Sequence, residues 1–272
     1  LPFQLHDSQR IFIVMRLATW NVNSLAVRLP QVLAWLVEHP VDALVLQETK
    51  LTDDKFPQAE IEAAGYHAQW FGQKTYNGVA LLSRSAATEV VKNIPAFDDA
   101  QARVIAATVE SPLGPVRVVG GYFPNGQAPD SDKFVYKMRW QDALCDWLKG
   151  ELERHPQLVL MGDFNVAPED RDVYDPVAWA GQIHCTPEER AQFQRLLGLG
   201  MIDTFRRFEQ PPKSWSWWDY RNLAFRKNQG LRIDHILVSP ALLPHVTACV
   251  IDKLPRKNER PSDHAPVILT LD

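Results

Sequence analysis

Apolar positions recur along the chain in two rhythms. Short, nearly continuous apolar runs of strand length occupy residues 42–47 and 158–161, as expected of strands buried on both faces. Residues 16–22, 66–71, 78–83, 103–109, 116–122, 233–238, 246–251 and 265–271 read as further strands. Pro112-Leu113-Gly114-Pro115 predicts a hairpin turn between 103–109 and 116–122. Helical spacing marks three other stretches. In 30–38 the stripe is Val32, Leu33, Leu36 and Val37; in 131–155 it is Phe134, Met138, Leu144, Leu148 and Leu152. The third, 187–197, opens on Glu188 and Glu189, where the helix dipole favours negative charge. Strands and helices mix without strict alternation, which predicts an α/β chain with two mixed sheets packed together and helices outside.

Composition narrows the possibilities. With 272 residues, 46% hydrophobic and 23% charged, the chain has ordinary globular proportions, and no Pro/Gly/Ser-rich linker or repeat divides it. A net charge of −4 argues against a nonspecific nucleic-acid coat, but it leaves room for a carboxylate site beside a local basic patch. Cys145, Cys185 and Cys249 are far apart and odd in number, which suits neither a zinc site nor a disulfide framework and fits a reducing cytosol. No apolar run is long enough to span a membrane, and residues 11–14 are too short for a signal core. The first core strand opens near Met15. Residues 1–14 are therefore expected to be a non-native or disordered extension, and 15–272 a single domain.

Polar groups recur at strand ends. Asn21 and Asn23 stand at the end of the first strand, Glu48 at the end of the second, and Asp163 and Asn165 follow Leu158–Met161; Asp263-His264 precedes the last strand. Sites in α/β sheets gather at strand ends. Several oxygen donors brought together there suit a hard divalent cation such as Mg²⁺, which keeps waters and substrate phosphates among its ligands. A lone Asp at a strand end is ordinarily a turn former or a cap. The repetition is what favours a site.

The motifs that contain these residues form an ordered set. They are Trp20-Asn21-Val22-Asn23-Ser24-Leu25, Leu46-Gln47-Glu48-Thr49-Lys50, Gly121-Tyr122-Phe123-Pro124-Asn125-Gly126, Gly162-Asp163-Phe164-Asn165, Gly230-Leu231-Arg232-Ile233-Asp234 and Pro261-Ser262-Asp263-His264-Ala265-Pro266. From Met15 to the C terminus the chain resembles the exonuclease III / class II AP endonuclease family of the endonuclease/exonuclease/phosphatase superfamily. The resemblance implies a four-layer α/β sandwich and a Mg²⁺-dependent DNA phosphodiesterase, with Mn²⁺ able to substitute. It implies Glu48 as principal metal ligand, helped by Asn21 or Asn23, with Asp263 near the metal. Asp163 would activate the attacking water or handle the leaving-group proton. Asn165 would orient the phosphate, His264 would bind it while oriented by Asp234, and Tyr122 would contact it or stabilise the leaving oxygen.

DNA contacts are expected from the aromatic and basic segment after Trp215: Trp217, Arg221, Phe225, Leu231, Arg232 and Ile233, with Asn125 and His184. Trp217, Leu231 and Ile233 would wall a pocket for an extrahelical sugar or a terminal nucleotide. Core packing is the competing explanation for Trp218 and Tyr220, and a solvated loop for the basic run 253–260. Duplex DNA with 3′ ends or abasic sites is the expected partner of a monomer that is cytoplasmic and reaches the nucleoid through DNA. At residues 183–187, Ile-His-Cys-Thr-Pro departs from the family's small-then-aromatic pattern. If His184 points at the DNA, it would crowd a continuous duplex more than a frayed 3′ end, favouring 3′ trimming over internal abasic incision. Other readings are a general AP endonuclease, an inositol or sphingolipid phosphodiesterase, and a non-catalytic regulator.

Overall fold

The computed structural model describes residues 14–272. The chain opens with β1 (Met15–Asn21), α1 (Leu25–Glu38) and β2 (Ala43–Gln47), a parallel strand pair joined through a helix. A short helix α2 (Gln58–Ala63) leads to β3 (His67–Phe71) and β4 (Val79–Ser83), which pair antiparallel. β5 (Thr88–Lys92), β6 (Val104–Val109) and β7 (Val116–Tyr122) follow as antiparallel neighbours. The long α3 (Asp132–Arg154) then crosses to β8 (Leu158–Asp163), parallel to β7. α4 (Pro176–Trp179), α5 (Pro187–Gly198), β9 (Ile202–Asp203), β10 (Asp234–Val238), β11 (Val246–Ile251) and β12 (Val267–Leu271) complete the order.

Two six-stranded sheets result, ordered β11-β12-β1-β2-β4-β3 and β5-β6-β7-β8-β10-β9. In each, a central parallel pair (β1–β2, β7–β8) is flanked by antiparallel strands. The two-residue period of a strand explains why the central runs read as continuously apolar. In β2, Ala43 and Val45 face the other sheet, while Leu44 and Leu46 face Val32, Trp35 and Leu36 of α1. In β8, Val159 and Met161 face inward, and Leu158 and Leu160 pack with Trp140, Leu144 and Leu148 of α3 and Phe193 of α5. The expected four layers of helix, sheet, sheet and helix are present. The sheets approach closely at Gly120 of β7: a Cβ there would stand 2.5 Å from Val45 Cγ1, so only hydrogen fits at this spacing.

The expected helix 30–38 begins five residues earlier. Pro30 reads as a first-turn proline, yet it lies inside α1, whose start at Leu25 is fixed by burial of that side chain in the core. β5 has no expected counterpart. It is an edge strand with mostly exposed side chains, so no alternation marks it. The expectation for residues 1–14 lies outside the described residues except at Val14, which is exposed; the next residue, Met15, is wholly buried. Among the described residues, no helix is long and apolar enough to cross a membrane.

Candidate active site

Side-chain parity delivers four polar groups to one edge of the layer between the sheets. Met15 and Leu17 face inward, so the period of two puts Asn21 on the same face of β1. The same count places Tyr122 after Val116 and Val118, Asp163 after Val159 and Met161, and Asp234 before Ile236 and Val238. In ladder register Tyr122 stands opposite Asp163, and Asp163 opposite Asp234.

Glu48 arrives differently. It follows β2 with φ 53°, and Asn23, Lys50, Asn165 and His184 also hold left-handed conformations, with φ of 44°, 55°, 52° and 74°. Such backbones cost about 1–3 kcal/mol each and persist where surrounding bonds fix them. Here the bonds are visible. Asn21 Nδ2 donates to Glu48 Oε1 at 2.8 Å and to Asp163 Oδ2 at 2.9 Å, tying the two sheets together. The Tyr122 hydroxyl donates to Glu48 Oε1 at 3.0 Å, and Lys50 Nζ lies 2.9 Å from Glu48 Oε2. Burial, then the charges of Glu48 and Asp163, push the Tyr122 phenol well up, so it remains a donor.

His264 lies on the loop before β12. Ser262 Oγ donates to Asn21 O at 2.6 Å and receives His264 N at 3.2 Å, while Trp20 Nε1 donates to His264 O at 3.2 Å. The ring is thus set against β1. Its Nδ1 is 2.9 and 3.1 Å from the two Asp234 oxygens, and its Nε2 is 3.7 Å from Asp163 Oδ2. Burial works against the charged ring, but Asp234 and Asp163 outweigh it and push His264 up to about 10. Burial raises the Asp163 carboxyl, against the pull of His264. The result is a fixed imidazolium beside a carboxyl that can carry a proton.

One atom each of Glu48, Asp163 and His264 lies within 4.8 Å of the others. A ring kept protonated by Asp234 would have no free lone pair, so the oxygens of Glu48 and Asp163 would be the donors to a cation, a hard set that fits Mg²⁺. Asn21 presents its amide nitrogen to both, while its Oδ1 accepts from Asn23 N at 2.9 Å. In this arrangement Asn21 orients the carboxylates and does not offer them a neighbouring oxygen. Asn23 and Asp263 stand one step out. Asp263 accepts from Asn23 Nδ2 and from Trp217 Nε1, both at 3.0 Å, and Asn23 Oδ1 accepts from Lys50.

Asn165 is held by its own N donating to Asp163 Oδ1 at 2.9 Å and by Nδ2 donating to Phe123 O at 3.0 Å, with the exposed Asn125 Nδ2 at 3.3 Å from its Oδ1. Of the residues expected at DNA, Trp217 is half-buried beside Asp263, and Arg221 is exposed and paired with Asp219. Three of the others, Arg232, Leu231 and Ile233, lie in the interior. Arg232 is 1% exposed and locked between Asp172 (2.6 Å) and Asp203 (2.8 Å), so it holds the fold and does not reach a ligand. Leu231 and Ile233 are core residues beneath Trp217, removed from solvent because their strand segment bridges Trp217 on one side and Val173 on the other. Phe225 is half-buried, its ring edge-on to Trp218 and covered by Arg256. Trp218 is wholly buried, while Tyr220 is exposed and donates to Pro261 O at 2.8 Å.

His184 is 6% exposed, its Nδ1 is bonded to Asn165 O at 2.8 Å, and its ring centre is 6.3 Å from both Trp179 and Trp217. The stretch 172–181 contains α4, and Trp179 packs into the same cluster as Trp217. Some residues that build the site carried no signal of their own in the sequence. Lys50 stood inside a motif without a role. Arg28 and Arg256 brace the loop of His264 through the carbonyls of Pro261 and Ser262.

Comparison with known proteins agrees with this geometry. Residues 18–264 match the sequence model of the endonuclease/exonuclease/phosphatase family. Exodeoxyribonuclease III of Haemophilus influenzae is 37% identical over 262 residues, covering 93% of this chain and 98% of that protein. The structure of a 3′ phosphatase from Neisseria bound to product DNA hairpin superposes with a TM-score of 0.92 at 51% identity, covering 95% of this chain and 99% of that one. An AP endonuclease from Archaeoglobus fulgidus gives a TM-score of 0.89 at 34% identity, covering 95% and 99%.

Proposed function

The chain belongs to the endonuclease/exonuclease/phosphatase family, and from that premise we propose that it is a Mg²⁺-dependent DNA-repair phosphodiesterase that trims 3′ ends in preference to incising internal abasic sites. It is a hydrolase of DNA phosphodiesters of the exonuclease III/AP endonuclease kind, which sets aside the non-catalytic alternative. One observation carries the chemistry: Glu48, Asp163 and an Asp234-held His264 converge within a single 4.8 Å cluster.

Hydrolysis needs a nucleophilic water, a proton for the leaving oxygen, and relief of charge on the phosphoryl oxygens. The His264 imidazolium serves as a donor to a phosphoryl oxygen, fixed in direction by Asp234. Asp163, its carboxyl raised by burial, accepts the proton of water or returns one to the leaving oxygen. Tyr122 and Asn165 supply neutral donors along the same edge. Mg²⁺ held at Glu48 would neutralise phosphoryl charge, and Mn²⁺, which takes the same oxygen donors, would serve in its place.

Two observations support the preference for 3′ ends. His184, Trp179 and Trp217 crowd together beside Asn165 and Asp263, where they would leave little room for a continuous duplex, and identity is higher to the 3′ phosphatase than to the AP endonuclease. The substrate is duplex DNA with a 3′ end, bound by a monomer. The test uses labelled duplexes carrying an internal abasic analogue, a 3′-recessed end or a 3′-phosphate, each with Mg²⁺ and with EDTA. Mg²⁺-dependent release at 3′ ends that outpaces internal incision is expected. Equal rates on the abasic duplex would make it a general AP endonuclease, and activity in EDTA would remove the metal.

A further inference from the structure

Lys137 on α3 is wholly buried, and all three of its ammonium protons are used. Nζ donates to Asn165 O at 2.8 Å, to Asn125 O at 3.2 Å, and to the Glu189 carboxylate. Burial draws the ammonium down and Glu189 works the other way. The other Glu189 oxygen receives Thr186 N at 3.1 Å and Thr186 Oγ1 at 2.9 Å in a capping box at the start of α5. A buried ion pair is a poor source of net stability, because well-packed apolar residues of equal volume often serve as well. An apolar residue could not grip carbonyls from two separate loops.

Those loops follow β7 and β8, and each presents one carboxamide at the site, Asn125 and Asn165. The carbonyl of Asn165 is gripped twice, by Lys137 and by His184 Nδ1. The turn after Asn125 rests on the lysine stem. Gly126 has φ +88°, and a Cβ there would lie 3.1 Å from Lys137 Cδ and 2.9 Å from Ile183 Cδ1. Loss of the ammonium would leave the Asn125 carbonyl without this partner and the Asn165 carbonyl to His184 alone, loosening the two residues whose carboxamides stand at the site. Reacting groups tolerate little of this: a misplacement of about 1 Å can cost on the order of 10²-fold in rate.

We infer that Lys137 is a positioning residue for phosphodiester hydrolysis, acting through the backbone carbonyls of Asn125 and Asn165 with Glu189 as its counter-charge. The inference rests on the hydrolytic reading of the site. It separates Lys137 from the groups that touch the phosphate and assigns the α3–α5 ion pair a part in the reaction.

A double-mutant cycle tests it. Lys137→Met, Asn165→Ala and the double variant are assayed on the 3′-recessed duplex with Mg²⁺, with melting curves for each, below the lowest melting temperature. Lys137→Met should lose about 10–10²-fold in kcat with KM within a few-fold, and should cost less than about 3-fold in the Asn165→Ala background. Lys137→Arg, which keeps the charge and the donors, should recover part of the loss. An equal loss in both backgrounds, a loss confined to KM, or unchanged kcat in a folded Lys137→Met protein would overturn the inference. If Lys137→Met does not fold, the same cycle is run with Lys137→Gln plus Glu189→Gln and is judged by the same outcomes. Absence of Mg²⁺-dependent activity in the wild type would instead sink the functional reading.

Discussion

Asp163 and Asp234 stand directly opposite one another across the β8–β10 ladder, a pairing that like charges ordinarily avoid. His264 resolves it by lying 2.9 Å from Asp234 and 3.7 Å from Asp163. The sign of the linkage follows. The folded His264, pushed up to about 10, lies above the ordinary histidine value of 6.5. Its stabilisation is therefore complete below pH 6.5 and is lost as pH rises through about 10. Asp234→Asn removes the main support of the charge. The stability advantage of wild type over Asp234→Asn should shrink between pH 7 and 10, read by urea unfolding in EDTA. An advantage that stays flat over that range would show that Asp234 does not hold the proton on His264.

Glu48→Gln and Asp163→Asn should keep the fold and lose about 10²–10⁴-fold in turnover. Both are isosteric, and both leave Tyr122 and Asn21 with a side-chain carbonyl to donate to. Near-wild-type rates at saturating Mg²⁺ in either variant would displace the catalytic centre from this cluster.

His184→Gly and His184→Asn suit the left-handed backbone there, φ 74°, better than most residues would. His184→Gly should raise internal abasic incision relative to 3′ trimming, because it empties the space between Trp179 and Trp217. His184→Asn, which keeps a donor for Asn165 O, should shift the ratio less. The measurement is the ratio of the two rates on matched duplexes, and a ratio unmoved in both variants would end the crowding argument.

Arg232→Met should destabilise by about 3–5 kcal/mol, since it strands the buried Asp203 and weakens the support of Asp172. The KM for DNA should stay within about twofold of wild type, as expected for a side chain with no route to a ligand. Chemical denaturation and steady-state kinetics on one preparation decide it. A large rise in KM with unchanged stability would restore Arg232 to the DNA surface.

The sequence was most legible where a long apolar period or an ordered motif spoke for itself. The core strands β2, β7 and β8 and the helix α3 fall within a residue or two of expectation, because their burial on defined faces writes a repeating signal. A polar group at a strand end marked Asn21 and Asp163, whereas only the family resemblance marked Tyr122 and Asp234; in the structure all four extend an inward-facing strand period. Arg232 misled because Arg-Ile-Asp beside a tryptophan segment reads as a basic surface. Only the tertiary fold brings Asp172 and Asp203, 60 and 29 residues away, against its guanidinium. Lys137 gave no warning at all, since one lysine on an amphipathic helix is ordinarily solvated.

The closeness of the sheets at Gly120 reaches further than packing. Asn21 and Glu48 come from the first sheet, Tyr122, Asp163 and Asp234 from the second, so the catalytic gap is the distance between two slabs. Gly120 stands two residues before Tyr122, against Val45, three residues before Glu48. A single methyl group at 120 would act as a shim, prising the jaws apart at their throat. The aperture proposed to grip a phosphate is in this sense calibrated by a missing side chain in the dry interior, at a position set apart from the site itself.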